Sequence, residues 1–436
     1  MNIRQIALRI LDEYEAGGKY INLSLSSHTT DGLTREERAQ LTALLYTAVE
    51  RKLTYDYYIC ALSGRSESSI DPHTKNILRL GLCQLLDMSS VPDFAAVNES
   101  VKLARSKGER AFVNGILRAA AREKNALPMP PEAKNYKRYL SVKHSFPLAV
   151  VKHFDSLYGR EATEKILEFY NSEKYTDITV NTVKISVKEY LESLENSGIS
   201  ATASPDVPNS LRIEASVNPE RLPGFSDGHF FVQDRASAVS SMALSPTSDG
   251  VTLDVCSAPG GKSFASAILS GDTGKIYSFD LHESKLSLIE SGAERLGLNS
   301  ISVAERDALT PDESLIGIAD RVICDVPCSG LGVLGKKPDL RYKDTSVLTE
   351  LPPLQLEILT ASAKYLKNGG ELLYSTCTLN PLENEQVVAK FLENNPNFVL
   401  TDFAVGSLKS TDGMLYMLPH IHGTDGFFMA KITKRA

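Results

Sequence analysis

The chain has 436 residues, with 47 Lys and Arg against 54 Asp and Glu (net −7), six cysteines and no tryptophan. At roughly 150 residues per domain the length points to about three domains, and 42% hydrophobic with 23% charged residues is ordinary globular composition. These values exclude wholesale disorder, a collagen-like fibre and a small disulfide scaffold, and no apolar run approaches the ~20 residues of a membrane helix.

At the N-terminus Ile3, Ile6, Ala7, Ile10, Leu11 and Tyr14 recur at helical spacing with charges between them, which reads as a first helix and not a signal peptide. Leu41, Leu44, Leu45, Ala48 and Val49 keep the same period, as do Ile77, Leu78, Leu82, Leu85 and Leu86. Asp71-Pro72 reads as an N-cap followed by proline at the first helical position. Strand-like alternation is absent up to about residue 128, where Pro128, Pro130 and Pro131 break the pattern. The spacing therefore predicts an all-helical domain over 1–128. Residues 1–130 hold 17 Lys/Arg and 15 Asp/Glu, whereas 131–436 hold 30 and 39. The helical domain is slightly basic within an acidic chain, and Arg105, Lys107, Arg110, Arg118, Arg122 and Lys124 gather near its end. Such a run is either a solvated helix face or a contact for an RNA backbone.

Residues 129–245 read as connecting helices, ending in amphipathic Ala162–Tyr170, followed by a small α+β unit. Its strands are expected at Ile178–Val180, Ile185–Val187 and Leu211–Ile213, with a helix over Val187–Ser197. From 246 to 436 strands and helices alternate. Strands are expected at Val251–Val255, Lys275–Phe279, Ser300–Val303, Arg321–Cys324, Glu371–Ser375 and Gly426–Ile432. Helices fall at Lys262–Leu269, Glu283–Leu296, Pro353–Leu366 and Pro381–Glu393. This alternation predicts a doubly wound, mostly parallel α/β sheet of Rossmann type, whose ligands bind at the carboxyl ends of the strands.

The first of these strands runs into Asp254-Val-Cys256-Ser257-Ala258-Pro259-Gly260-Gly261-Lys262-Ser263. Strand, glycine-rich turn and helix make a loop that lets a ligand approach the backbone, with a helix N-terminus beneath it. Neither a Walker loop nor a full G-x-G-x-x-G fingerprint is present, which argues against a pyrophosphate. Asp280, Asp307 and Asp325 follow the second, third and fourth strands. One such acid alone is readily a helix cap or a solvated loop residue. Three in succession form an acidic rim suited to a nucleoside bearing a cationic sulfonium, so S-adenosylmethionine fits better than ATP.

Cys328, in Asp325-Val-Pro327-Cys328-Ser-Gly-Leu-Gly332, and Cys377, in Tyr374-Ser-Thr376-Cys377-Thr378, fall in the loops after two strands. A lone buried cysteine is usually inert packing. Two at the tops of neighbouring strands beside a methyl donor match one chemistry, pyrimidine C5 methylation. C5 of cytosine is a weak nucleophile until a thiolate adds at C6 and makes the ring an enamine. Asp325 is the candidate acid facing N3 and the exocyclic amine. The residues alone do not choose between the two thiols as nucleophile. No nearby histidine completes a zinc site, so no metal is expected, and absence of C-x-x-C pairing points to free thiols in a reducing, cytoplasmic setting.

Asp254–Ser263, Asp325–Gly332 and Tyr374–Thr378 resemble the motifs of the RNA cytosine-C5 methyltransferase family (the Fmu/Sun group), and Gln233–Val239 and Asp425–Ile432 resemble further segments of it. The resemblance implies that Cys256 to Lys262, Asp280, Asp307 and Asp325 contact the cofactor. It implies that Cys377 is the nucleophile and that Cys328 helps resolve the covalent adduct. Val97–Val101 and Ala111–Arg118 resemble a NusB-like RNA-binding domain. Together the two resemblances imply a monomeric enzyme acting on 16S ribosomal RNA, free or in an early assembly state, with neither DNA nor membrane as partner. Transfer RNA or another ribosomal cytosine is the alternative substrate, and a non-catalytic NusB-type RNA-binding factor the alternative class. Leu334-Gly335-Lys336-Lys337-Pro338-Asp339 lacks the arginines often found before Pro-Asp in the family, and lysine keeps the charge but not the bidentate fork.

Overall fold

The computed structural model describes residues 2–17, 21, 25, 32–172, 175–215 and 217–436. The chain divides into two units, one made of residues up to 171 together with 337–343, the other of 172–336 and 344–436.

The first unit is helical among its described residues, with helices Ile3–Glu15, Arg35–Glu50, Lys52–Ser63, Pro72–Leu86, Asp93–Leu103, Lys107–Arg122, Tyr136–His144 and Leu148–Tyr170. The periodic residues are the ones that pack: Leu41, Leu44, Leu45, Ile77, Leu78 and Leu82 are all buried in one core. The Asp71 carboxylate accepts from the Thr74 amide at 3.2 Å, capping a helix that begins with Pro72. Arg79 places Nε and Nη2 on the two Asp56 oxygens at 2.7 Å each and Nη1 on Asn76 and Glu15. Residues 337–343 belong to this packing. Arg341 is fully buried, donates to the Glu50 and Ser145 carbonyls and to Asn171 Oδ1, and stacks on Phe146 at 3.8 Å.

The second unit begins with a four-stranded antiparallel sheet in the order β2-β3-β1-β4. Its strands are β1 (Thr176–Val180), β2 (Ala201–Ala203), β3 (Ser210–Ile213) and β4 (Phe230–Val232), with helix Val187–Asn196 between β1 and β2. The expected strand at Ile185–Val187 does not form. Ser186 instead caps that helix in a Ser186/Glu189 capping box, so local side-chain bonding overrides a short alternating pattern.

The larger sheet follows, with β5 (Val251–Asp254), β6 (Lys275–Asp280), β7 (Ile301–Glu305), β8 (Ala319–Asp325), β9 (Leu366–Thr376), β10 (Phe398–Leu400), the small pair β11 (Ala404–Val405) and β12 (Leu408–Lys409), β13 (Met414–Met417) and β14 (Phe427–Lys434). The order is β10-β14-β9-β8-β5-β6-β7, with β13 beside β14 and the pair β11–β12 forming a separate ribbon. Strands β5 to β9 are mutually parallel, whereas β14 enters antiparallel to β9. The strand order reverses between β5 and β8, which is where an open α/β sheet holds its ligand.

Two helices depart from the expected bounds. Glu385–Asn394 starts four residues after Pro381, and Val347–Ala363 starts six before Pro353 and ends where β9 begins. Pro352 and Pro353 lie inside the latter helix. Pro352 cannot donate to the Leu348 carbonyl, and Asn380 Nδ2 takes that carbonyl at 3.1 Å instead. A tertiary donor thus offsets what proline removes, and no local signal reveals it.

Candidate active site

The glycine-rich turn after β5 is built for close approach. Gly260 has φ 108°, and a Cβ there would lie 2.4 Å from the Phe264 ring. The turn is fixed on both sides. Ser257 donates from its amide (2.8 Å) and hydroxyl (2.9 Å) to the Phe279 carbonyl of β6. The Ala258 amide donates to Asp280 Oδ2 at 3.2 Å, and Gln233 Nε2 reaches the Gly261 carbonyl at 3.3 Å. Asp280, the last residue of β6, also accepts from the His282 amide at 3.1 Å, so its carboxylate lies against the turn. Cys256 is half-buried, and burial pushes its thiol well above the ordinary range. Pro259 is exposed, as is Asp307, which lies two residues beyond β7 and accepts from the Leu309 amide at 2.9 Å.

Beneath the turn lies Asp254, 1% exposed. Its Oδ2 accepts from Ser263 Oγ at 2.7 Å and its Oδ1 has no hydrogen-bond partner. Burial pushes this carboxyl up to about 7. An orphaned buried oxygen beneath a glycine cradle suits a bound ammonium, and S-adenosylmethionine carries one on its methionine part. The residues present therefore fit that cofactor.

Lys262, expected with the cofactor loop, turns its ammonium to Asp325 Oδ2 at 2.6 Å and to Ser237 Oγ at 3.2 Å. Strand register sets Asp325 against Ser375, whose hydroxyl donates to Asp325 Oδ1 at 2.7 Å. Both oxygens of Asp325 are thus held, one by a cation and one by a hydroxyl. The two loop cysteines meet: Cys328 Sγ lies 3.2 Å from Cys377 Sγ. The hydrogen bond to Cys377, with burial, drives the Cys328 thiol far above its ordinary range. Gly332 lets its loop close on the Cys377 loop and on Gly426, since a Cβ there would lie 2.8 Å from the Cys377 carbonyl oxygen and 1.8 Å from that of Gly426. Its amide donates to the Cys377 carbonyl at 2.9 Å.

The structure therefore pairs Lys262 with Asp325 and Cys328 with Cys377 in the segments that follow β5, β8 and β9, with the turn 256–261 and Asp280 forming another group around the cradle. Sequence reasoning missed Asp254, Ser237, Ser375 and Glu383. Ser375 was the most accessible of these, because parallel register with Asp325 follows once both strands are placed.

Lys336, in the loop without the family's arginines, is engaged within the protein. Lys336 Nζ ion-pairs with Asp234 at 2.6 Å and Asp425 at 3.0 Å, so its charge is used inside the protein and not offered to RNA. Burial pushes Asp425 up to about 7, whereas Lys336 holds Asp234 below its ordinary value against the effect of burial. Among the described residues one group has metal-ligand character, His144, Glu164 and Glu168 in the helical unit. There the Lys143 ammonium already neutralises the glutamates at 2.7 and 3.7 Å.

Comparison with known proteins accounts for most of the chain. Residues 241–433 match the model of the 16S rRNA methyltransferase RsmB/F family, 1–122 the NusB family, and 146–220 the ferredoxin-like domain of RsmF/B-like methyltransferases. The chain is 36% identical to the probable ribosomal RNA small subunit methyltransferase B of Synechocystis sp., over the whole of both chains. It belongs to the ribosomal RNA small subunit methyltransferase B family. The protein of Bacillus subtilis with the same description is 34% identical, covering 100% of this chain and 99% of that one. Among solved structures, PH0851 superposes with TM-score 0.80 at 27% identity, covering 99% of this chain and 97% of that one. A methyltransferase homolog from Pyrococcus horikoshii follows with TM-score 0.60 at 25% identity, covering 69% of this chain and 99% of the other. The expected architecture, a NusB-like helical domain before a Rossmann-like methyltransferase domain, stands, and the family uses S-adenosylmethionine. Among the described residues no helix is long and apolar enough to cross a membrane.

Proposed function

We propose that this protein methylates C5 of a cytosine in 16S ribosomal RNA through a covalent adduct between Cys377 and C6. The observation that carries the reading is the approach of the Cys328 and Cys377 sulfurs to 3.2 Å, in the loops after the two strands whose ends hold Asp325 and Ser375. Bound S-adenosylmethionine supplies the methyl group. The protein's own residues do the rest. Cys377 as thiolate bonds to C6, and the ring electrons move to C5. Asp325, the acid facing N3 and the exocyclic amine, gives N3 a proton as electron density arrives there and takes it back when the ring is restored, with Lys262 and Ser375 orienting its two oxygens. After C5 is methylated its proton passes to solvent water, and the C–H electron pair re-forms the C5–C6 double bond as the Cys377–C6 bond breaks and its electrons return to sulfur. Cys328, held as a thiol, stands against the departing sulfur and can protonate it. The target base must leave its stack to reach the cluster, which suits a single-stranded or incompletely assembled RNA.

The test is methyl transfer from labelled cofactor to deproteinised small-subunit RNA, with the product mapped by bisulfite sequencing. One 5-methylcytosine in 16S RNA is expected. Modification of transfer RNA alone would transfer the proposal to that substrate, and no 5-methylcytosine from cofactor-bound enzyme would refute it. Cys377→Ala should lower turnover by at least about a thousandfold. Cys328→Ala should accumulate an RNA adduct stable in denaturant, and the reverse pattern would exchange the roles of the two thiols.

A further inference from the structure

Glu383 is fully buried, yet the four donors that reach its carboxylate are neutral. The Ser329 amide donates to Oε2 at 2.8 Å and the Ser329 hydroxyl to Oε1 at 2.6 Å. Gln355 Nε2 donates to Oε2 and Asn380 Nδ2 to Oε1, each at 3.0 Å. A buried carboxylate held this way is expensive against an apolar replacement, so its placement calls for a reason beyond stability.

The donors supply that reason. Ser329 is the residue after Cys328. Gln355 Nε2 also donates to the carbonyl of Pro327, the residue before Cys328, at 2.9 Å. Glu383 thus grips the backbone on one side of Cys328 and, through Gln355, on the other. The Ser329 hydroxyl lies 2.8 Å from Thr378 Oγ1, and Thr378 is the residue after Cys377. The Thr378 carbonyl is in turn held by Asn384 Nδ2 at 3.1 Å. One carboxylate therefore organises the hydrogen bonds of both thiol loops, although it touches neither sulfur.

We propose that Glu383 is a positioning residue for the two-thiol step: through Ser329, Gln355 and Thr378 it sets Cys328 against Cys377 so that the adduct can be resolved. This rests on the cytosine-C5 reading above. Neighbouring charge bears on the same geometry, since the carboxylate helps keep Cys328 in its thiol form.

The experiment uses Glu383→Gln in the full chain, where the amide turns an NH₂ group toward donors and releases Ser329. Cofactor binding by calorimetry confirms a folded catalytic unit. Two readouts follow. Without RNA, the Cys328–Cys377 disulfide is driven with diamide and quantified by mass spectrometry. Two protons and two electrons leave the thiols and reduce the azo bond. With RNA and cofactor, single-turnover methyl transfer is compared with release of the denaturant-stable adduct. We expect disulfide formation and adduct release each to fall about tenfold or more, with the first methyl transfer changed by less than about threefold. Ser329→Ala, which keeps the backbone contact, should shift both in the same direction by less, and it decides the matter if the glutamine variant does not fold. Disulfide and release rates within about twofold of the wild type, or methylation and release falling together while disulfide formation is unchanged, would overturn the proposal. A wild-type protein that makes no 5-methylcytosine would sink the function instead, and the disulfide rates would still judge the placement of the thiols.

Discussion

Two buried carboxylates, one in each unit, are held on opposite terms. In the helical unit Asp56 gives both oxygens to the Arg79 fork, and Arg79 turns its Nη1 to Asn76 and Glu15. In the catalytic unit Asp254 accepts one hydroxyl, leaves Oδ1 unmatched and is pushed up to about 7 by burial. Closed charge belongs to structure; charge left open, at the end of a strand and beneath a glycine turn, is poised for a ligand. The Lys262–Asp325 pair lies between these cases. It is paired at 2.6 Å, yet the Asp325 side chain keeps 31% of its surface in solvent.

The comparison breaks most sharply at Asp56. Asp56→Ala strands a buried guanidinium, and breaking a buried pair from one side costs about 3–5 kcal/mol. Urea unfolding followed by circular dichroism is the suitable measurement, because the chain has no tryptophan to report by fluorescence. The loss is expected in the helical transition. A change below about 1 kcal/mol would mean that the fork is dispensable and that the contrast with Asp254 fails.

Removing charge at Asp254 should act with the opposite sign. Its ordinary value is 3.8 and its folded value about 7, so the native state holds the proton over that window while the unfolded chain releases it. Stability contributed by this group is therefore full at the acid end and lost as pH rises toward 7. Asp254→Asn, which stays neutral, should gain on the wild type by about 4 kcal/mol at pH 8 and by little near pH 4. Thermal melts at several pH values measure the gap, and calorimetry should show weaker binding of S-adenosylmethionine. A gap that does not widen with pH would mean that Asp254 is ionised in the native state throughout.

What the sequence disclosed and what it hid divide along the same line. Periodicity placed the helical core, and strand–helix alternation placed the parallel sheet, because both follow from local spacing. The strand-end positions of Asp280, Asp325, Cys328 and Cys377 came with the sheet. The antiparallel entry of β14 did not, since nothing in Phe427–Lys434 records the direction of its partner. Nor did the partners that complete each site. Asn380 repairs a proline-containing helix 32 residues earlier in the chain. Glu383 binds a loop 54 residues away. Lys336 reads as a surface cation until Asp234 and Asp425, distant in sequence, are seen around it. The residues proposed to do chemistry were legible because they sit in motifs; those proposed to position them were not, because they act through tertiary hydrogen bonds.

The smallest effect concerns the basic cluster at the end of the helical domain, where both readings of the sequence remain distinct in outcome. Arg105 is 60% exposed and pairs with Asp71 at 2.8 Å, and Lys124 pairs with Asp93 at 3.0 Å. Such surface pairs contribute at most about 1 kcal/mol, so Arg105→Ala should barely move the melting temperature. Binding of small-subunit RNA across a salt series separates the readings. If the side chain meets a phosphate, affinity falls for every sequence tested and the slope of log affinity against log salt drops by about one. If it is only a solvated partner of Asp71, both affinity and slope stay at wild-type values. In that case the slight positive excess of the helical domain is surface chemistry, and RNA recognition must be sought on other residues.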